Sequence, residues 1–127
     1  MTPVFLTLAE VIELHGRMVD EFGGSPEVRD IGLLQSAIAM PMAQFGGQYL
    51  HAELASMAAA YMFHIVSNHP FVDGNKRAGA VAARVFLLVN DATFEPGEEE
   101  YGDLVVGVAS GTLGKDDAIA FFQKHVR

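Results

Sequence analysis

The chain has 127 residues, half of them hydrophobic and 19% charged, and its formal net charge at pH 7 is −8. This length and composition predict a single folded domain over residues 1–127 and exclude a disordered chain. The acidic balance argues against direct binding to nucleic acids, which attract basic surfaces. Cysteine is absent, which excludes disulfides and thiolate metal sites and is typical of a cytoplasmic protein.

The N-terminal stretch lacks the pattern of a signal peptide. Glu10, Glu13 and Arg17 interrupt its apolar residues. Elsewhere, no apolar run approaches the roughly 18 residues that a membrane-spanning helix needs. We therefore expect a cytoplasmic protein that does not associate with membranes.

A first helix is predicted near the N-terminus. Thr7 followed by Glu10 is a capping-box pattern. Apolar residues then recur at helical spacing over residues 8–22. The sequence Gly-Gly-Ser-Pro at residues 23–26 is expected to end this helix in a turn.

The next segments predict a short helix and a loop. Asp30 is expected to cap a second helix, which Pro41 closes. Residues 45–49, Phe-Gly-Gly-Gln-Tyr, follow as a glycine-centred loop that is too flexible for a helix interior.

Two central helices and two further amphipathic helices are predicted in the rest of the chain. Residues 52–67 and 78–89 are apolar on nearly all sides, which is typical of buried helices. We expect them to pack as an antiparallel pair that presents the loop between them. Amphipathic helices are expected around residues 98–110 and 115–125. With almost no strand signal, the predicted fold is an all-α compact bundle of about six helices.

The connection between the two central helices, residues 69–77, has the sequence His-Pro-Phe-Val-Asp-Gly-Asn-Lys-Arg. Its proline disfavours helical geometry in His69, so we expect the preceding helix to end near Asn68 and His69 to lie in an extended turn. Asp73 is a favourable N-cap, which predicts that the next helix runs from Gly74 onward.

Free amides and positive charge coincide at the start of that next helix. The unpaired N–H groups of Gly74, Asn75 and Lys76 would point out of the helix N-terminus, where phosphates bind. The Asn75 side chain could add a further donor. Lys76 and Arg77 are unfavourable at this positive helix end unless an anion is present. These residues predict an anion-binding site with His69 at its rim as the candidate general base.

Several polar residues have two interpretations. Asp73 could hold Mg²⁺ together with phosphate oxygens and water, or it could only cap the helix. Arg84 lies about two helical turns after Arg77 and could reach a phosphate or pair with an acid. The remaining histidines are poorer candidates for the site: His15, His51, His64 and His125. His64 lies in an apolar helix and is most simply a core or supporting residue.

The connecting segment resembles the signature of the Fic/Doc superfamily, His-x-Phe-x-Asp/Glu-Gly-Asn-Gly/Lys-Arg. Lysine at position 76, in place of a second glycine, resembles the Doc (death-on-curing) toxin branch. The resemblance implies a Fic/Doc-like fold in which residues 45–49 form a flap that holds a target segment by strand addition. It extends through the N-terminal half, at residues 4–7, 23–26, 29–34 and 45–47.

The resemblance also implies an ATP-dependent transferase that acts on protein hydroxyls. Doc-type members pass the γ-phosphate of ATP to a threonine of elongation factor Tu and block translation, whereas most Fic proteins transfer AMP. The implied site consists of His69 as general base, Asp73 as the Mg²⁺ ligand, and a phosphate-binding group formed by Gly74, Asn75, Lys76 and Arg77.

Two differences within the superfamily favour the kinase over the AMP transferase. The Lys76 side chain would fill space beside the backbone and create a different phosphate position, so that the nucleotide binds reversed with its γ-phosphate toward His69. Ala80 replaces a second arginine of AMP-transferring relatives. The sequence also differs from the Doc pattern at residues 78 and 79, which are Ala-Gly where Doc relatives commonly have Thr-Ala. This difference is expected to affect the packing beneath the anion site.

The sequence also predicts how such an enzyme would be restrained. It contains no Ser/Thr-x-x-x-Glu pattern of the kind found in self-inhibiting Fic proteins. We therefore expect a separate Phd-like antitoxin that inserts a helix into an apolar groove. The alternative to an enzyme is a non-catalytic phosphate-binding module, although such a module would not need His69 as a base.

Overall fold

The computed structural model describes residues 2–127, and these form six α-helices, a short 3₁₀ turn and one small β-hairpin. The all-α prediction is confirmed. Within these residues, no helix combines the length and the apolar character needed to cross a membrane. The helices are α1 Leu8–Phe22, α2 Ile31–Ala39, α3 Leu54–Asn68, α4 Asn75–Val89, α5 Glu98–Ser110 and α6 Lys115–His125.

The N-terminal helices begin at the predicted caps. In α1, the Thr7 hydroxyl accepts from the Glu10 amide at 3.2 Å while the Glu10 carboxylate accepts from the Thr7 amide at 2.9 Å. In α2, the Asp30 carboxylate accepts from the Leu33 amide at 3.0 Å. Pro41 does not end the helical chain directly, because it lies inside a 3₁₀ turn over Met40–Met42.

The predicted glycine-centred loop is a β-hairpin. Strands β1 Gln44–Phe45 and β2 Gln48–Tyr49 pair antiparallel. The two glycines between them have φ angles of 60° and 79°, as a two-residue type I′ turn requires. Phe45 is 85% exposed at the tip of this hairpin.

Helices α3 and α4 form the centre of the fold and pack antiparallel, as the sequence predicts. The end of α3 meets the start of α4 at Gly79, and nearer the other end the rings of Tyr61 and Phe86 lie 5.1 Å apart. A Cβ on Gly79 would lie 2.7 Å from the Val66 side chain and 3.0 Å from the Met62 carbonyl. The two helices therefore approach so closely that only glycine fits at this position without movement of its neighbours.

Helices α5 and α6 close the bundle through an aromatic cluster. The Phe94 ring is stacked on the Phe122 ring with centroids 4.7 Å apart, and the Tyr101 ring meets Phe94 edge-on at 5.2 Å. The Tyr101 hydroxyl donates to the Ala80 carbonyl at 2.7 Å. Burial raises the pKa of this hydroxyl well above its usual range, so it remains a donor that ties α5 to α4.

Candidate active site

The candidate site is formed by residues 69–77, which connect α3 to α4 and include the first residues of α4, and which we call the motif loop. His69 begins it, but its backbone is not extended as predicted. It has φ 51° and ψ 52°, in the left-handed region, and its amide donates to the Ile65 carbonyl at 3.3 Å as the C-cap of α3. The helix does end at Asn68, before the proline, as predicted. Only the backbone conformation of His69 differs from the prediction.

Arg29 provides the physical reason for this turn. Its Nε donates to the His69 carbonyl at 2.8 Å and its Nη2 donates to the Asn68 carbonyl at 3.2 Å. These two carbonyls lie at the end of α3, where backbone acceptors lack helical partners and a cation is favourable. A planar guanidinium can bind both at once, which stabilises a conformation that non-glycine residues rarely adopt.

The backbone on either side of Arg29 runs along the motif loop as a short antiparallel bridge. The amides of Arg29 and Asp30 both donate to the Pro70 carbonyl, at 2.7 and 3.0 Å. The Val72 amide donates to the Glu27 carbonyl at 3.1 Å. The connection between α1 and α2 thus acts as a template against which the motif loop is fixed.

Phe71 anchors the motif loop in the core. Its side chain is fully buried, and its ring is stacked on the His15 ring with centroids 3.7 Å apart and planes 5° apart. Because an aromatic side chain buries a large apolar area, this contact holds the loop against α1.

The side chain of Asn75 binds the backbone of Phe71. Its carbonyl oxygen accepts from the Phe71 amide at 2.9 Å, and its NH₂ group donates to the Phe71 carbonyl at 3.0 Å. Asn75 is 5% exposed. The carbonyl oxygen and one N–H of this side chain are therefore held by the loop, which leaves at most its second N–H for a phosphate. The Asn75 backbone amide remains at the helix N-terminus.

Asp73 is not the N-cap of α4, contrary to the prediction. That position belongs to Gly74, which has φ 79° and ψ 21°, and α4 begins at Asn75. The Asp73 carboxylate turns instead toward the α1–α2 connection, where Oδ2 accepts from the Ser25 amide at 2.9 Å. A Cβ on Gly24 would lie 3.2 Å from the Asp73 Cβ, so the two segments are in close contact.

The N-terminus of α4 presents several backbone donors. The first intrahelical bond runs from the Ala78 amide to the Gly74 carbonyl at 2.9 Å. Within residues 2–127, the amides of residues 74–77 donate to no protein acceptor. Such unpaired amides, with the helix dipole behind them, form a site for an anion.

These donors open into a cavity of about 540 Å³, which we call the phosphate cavity. It brings together all six residues assigned to the site from the sequence. Both the candidate base and the candidate metal ligand therefore lie beside the helix N-terminus. The cavity is lined by Val66, His69, Val72, Asp73, Gly74, Asn75, Lys76, Arg77 and Ala109.

The two cations at the start of α4 are exposed and, in the part of the chain that the structure describes, form no ion pair. The Arg77 guanidinium lies 4.2 Å above the ring of Phe22. Arg84 does not reach the phosphate cavity. It pairs with Glu98 at 2.9 Å and lies over the rings of the aromatic cluster, which decides between its two interpretations.

A second concavity lies on the other side of Lys76 and Arg77. This helix groove, of about 460 Å³, runs between α1, α4 and α5. Its floor is apolar, and acidic and basic residues stand at its rim. The apolar lining comprises Met18, Phe22, Ala80, Val81, Tyr101, Val105 and Val106, and the charged lining comprises Glu21, Lys76, Arg77, Arg84 and Glu98.

The other histidines lie outside the phosphate cavity. Burial, together with the nearby positive charge of Lys115 and with His51, lowers the pKa of His64 to about 4. Burial and Lys115 also lower the pKa of His51. From Thr2 to Arg127, no three histidine or acidic side chains converge to hold a metal ion.

The sequence reasoning missed the two residues that support the motif loop from outside it. The sequence gives His15 no role at the site, although its Nε2 lies 2.7 Å from the Asp73 carbonyl. Arg29 was noted only for its place in the resemblance. Neither role has a local signal, because each residue contacts a segment about 40 or more positions away.

Comparisons with known proteins identify relatives of this chain. The family model described as "Fic/DOC family" matches residues 5–87. The protein named "Toxin Doc" of Mycolicibacterium smegmatis is 45% identical over 69 residues, which span 54% of this chain and 53% of that protein. The protein named "Protein kinase doc" of Escherichia phage P1 is 30% identical over 105 residues, which span 82% of this chain and 81% of that protein.

Proposed function

Because this chain belongs to the Fic/Doc family, we propose that it is the toxin of a toxin–antitoxin pair and works as a protein kinase. It would transfer the γ-phosphate of ATP to a hydroxyl of a target protein. The observation that carries this proposal is the phosphate cavity, which His69 lines together with the residues of the four unpaired amides at the start of α4. The kinase named among its relatives adds support.

The transfer follows from these positions. The hydroxyl oxygen of the target attacks the γ-phosphorus, and a new P–O bond forms as the bond to the β-phosphate oxygen of ATP breaks. The hydroxyl proton passes to the His69 imidazole, and the electron pair of the broken bond leaves with ADP. The amides of residues 74–77 and the cations Lys76 and Arg77 stabilise the negative charge on the phosphates.

The residues present fit a magnesium ion that arrives with ATP. One oxygen of Asp73 is held by the Ser25 amide, which leaves the second oxygen of this exposed carboxylate for a cation. Magnesium commonly takes one or two protein carboxylates, with phosphate oxygens and water as its other ligands. When bound, it supplies neutralisation of the phosphate charge.

The start of α4 favours the kinase over AMP transfer. Lys76 stands between the phosphate cavity and the helix groove, where its ammonium can attract the terminal phosphate. Ala80, one turn further along α4, offers no charge for a second phosphate position. The proposed acceptor is a threonine of elongation factor Tu, so that the reaction blocks translation in the cytoplasm.

The helix groove is the proposed site of the antitoxin. Its apolar floor and charged rim suit an amphipathic helix of a Phd-like protein. Lys76 and Arg77 line this groove as well as the phosphate cavity. A helix lying there would contact the cations that attract the nucleotide, which gives a direct route to inhibition.

The test compares ATP labelled on the γ-phosphate with ATP labelled on the α-phosphate, in the presence of Mg²⁺ and elongation factor Tu. We expect only the γ label to appear on the target, on a threonine identified by mass spectrometry. His69→Ala should abolish this labelling, whereas His125→Ala, a matched change outside the cavity, should retain it. Label from the α position would indicate AMP transfer. ATP binding without label from either position would indicate a phosphate-binding module.

A further inference from the structure

His15 lies beneath the motif loop and is almost completely buried, with 1% of its surface exposed. Its Nε2 is 2.7 Å from the backbone carbonyl of Asp73. A carbonyl only accepts hydrogen bonds, so Nε2 carries the proton and donates it. The ring is thus held by a stack on Phe71 at one face and by a hydrogen bond at its edge.

This hydrogen bond determines the direction of the next amide. The carbonyl of Asp73 and the N–H of Gly74 belong to one trans peptide plane, in which the two groups point in opposite directions. Because the carbonyl points toward His15, the Gly74 N–H points away from His15. Gly74 lines the phosphate cavity, and within residues 2–127 its amide has no protein acceptor.

Gly74 also leaves little room for another arrangement. Its φ of 79° is unfavourable for other residues, and a Cβ there would lie 3.4 Å from the His15 Nε2. A flip of the peptide plane would remove the hydrogen bond that this carbonyl accepts from the buried His15 ring. Such a flip would also turn the Gly74 N–H away from the anion site.

We propose that His15 is a positioning residue that orients the Gly74 amide toward the phosphates of the nucleotide. This proposal rests on the proposed function for its ligand, a nucleotide polyphosphate. His15 does not touch the substrate. It acts through the peptide plane between Asp73 and Gly74, and its loss should weaken phosphate binding at one amide while the remaining donors persist.

Two substitutions separate this role from packing. His15→Phe keeps an aromatic stack on Phe71 and loses the donor. His15→Gln loses the stack and keeps an N–H donor at a similar distance from the backbone. If His15 orients the Gly74 amide, nucleotide affinity should fall in the variant that lacks the N–H donor. If His15 only fills space, nucleotide affinity should fall in whichever variant is less stable.

The measurement is calorimetric binding of the β,γ-imido analogue of ATP with Mg²⁺, together with urea unfolding of each variant. We expect His15→Phe to raise the dissociation constant about tenfold and His15→Gln to stay within about threefold of the unsubstituted protein. His64→Phe, the same change at a histidine outside the cavity, should leave the dissociation constant unchanged. Unchanged affinity in folded His15→Phe would overturn the proposal.

A second readout does not depend on the stability of a variant. In the unsubstituted protein, the backbone amide resonance of Gly74 should move on addition of the analogue, and an unmoved resonance at saturation would refute the role. The labelling experiment tests transfer separately. Binding without transfer would contradict the kinase and leave the His15 proposal standing, whereas transfer with full affinity in His15→Phe would contradict the His15 proposal alone.

Discussion

Replacing Asn75 by alanine tests whether its side chain serves the fold or the ligand. The two polar atoms of this carboxamide are bonded to the amide and carbonyl of Phe71. The bridge to the α1–α2 connection bonds only the backbone on either side of Phe71. Both Phe71 groups would therefore lose their partner in a buried place.

The cost follows from this burial. A buried backbone group left without a partner costs about 1–3 kcal/mol, so the loss of partners for two groups in Asn75→Ala should lower the free energy of unfolding by about 2–6 kcal/mol. Asn90 provides a control, because its carboxamide binds the Val4 amide and carbonyl at the surface, at 2.8 and 2.9 Å, and its NH₂ group also donates to the Phe86 carbonyl at 2.8 Å. Water can replace that side chain, so Asn90→Ala should cost only about 1 kcal/mol.

The assay is urea unfolding of both variants. Binding of the imido analogue of ATP is then measured in buffer without urea, at a temperature where both variants are folded. We expect Asn75→Ala to be clearly the less stable of the two. If it is as stable as Asn90→Ala and instead loses nucleotide affinity, the carboxamide acts on the phosphate and our interpretation of the site is wrong.

Three further predictions concern the supports of the bundle and the motif loop. Gly79→Ala should lower the free energy of unfolding by about 1–3 kcal/mol, because the new methyl group overlaps Val66 and the α3 backbone; thermal unfolding that matches the unsubstituted protein would contradict the close packing. Arg29→Met should reduce kcat for phosphoryl transfer about tenfold, because Arg29 holds the backbone of His69. The KM for ATP should stay unchanged, because Arg29 does not line the phosphate cavity. A rise in KM alone would argue against this role. Stability should fall as the pH drops from 6.5 to about 4, because burial lowers the pKa of folded His64 while the unfolded chain takes up the proton. The difference between the pKa values of unfolded and folded His64 corresponds to roughly 3 kcal/mol, and solvent screening at this half-buried ring reduces the effect to about 1–2 kcal/mol. His64→Gln should therefore flatten the pH dependence of the free energy of unfolding measured in urea.

The helices could be predicted because their signals are local. The capping pair at Thr7 and Glu10, the cap at Asp30 and the proline after His69 each act on neighbouring residues. The first helix, the end of α3 and the last two helices accordingly begin and end where the sequence indicates. The hairpin was missed because two-residue strands have too little sequence to show an alternating pattern.

The details of the site could not be predicted because distant contacts override local preferences. Asp73 has the sequence position of a helix cap, but the Ser25 amide, 48 residues away, binds its carboxylate. His69 has the sequence of an extended residue before proline, but Arg29, 40 residues away, fixes its backbone in the left-handed region. The motif indicates the residues of the candidate site, and the α1–α2 connection sets the conformation of His69 and Asp73.

Lys76 and Arg77 form a common wall between the phosphate cavity and the helix groove. Two ligands that meet at one wall are thermodynamically coupled, and the coupling is reciprocal. If a helix in the groove weakens nucleotide binding by some factor, the nucleotide must weaken binding of that helix by the same factor. The concentration of ATP in the cell would then help to set how tightly the chain is held by its inhibitor.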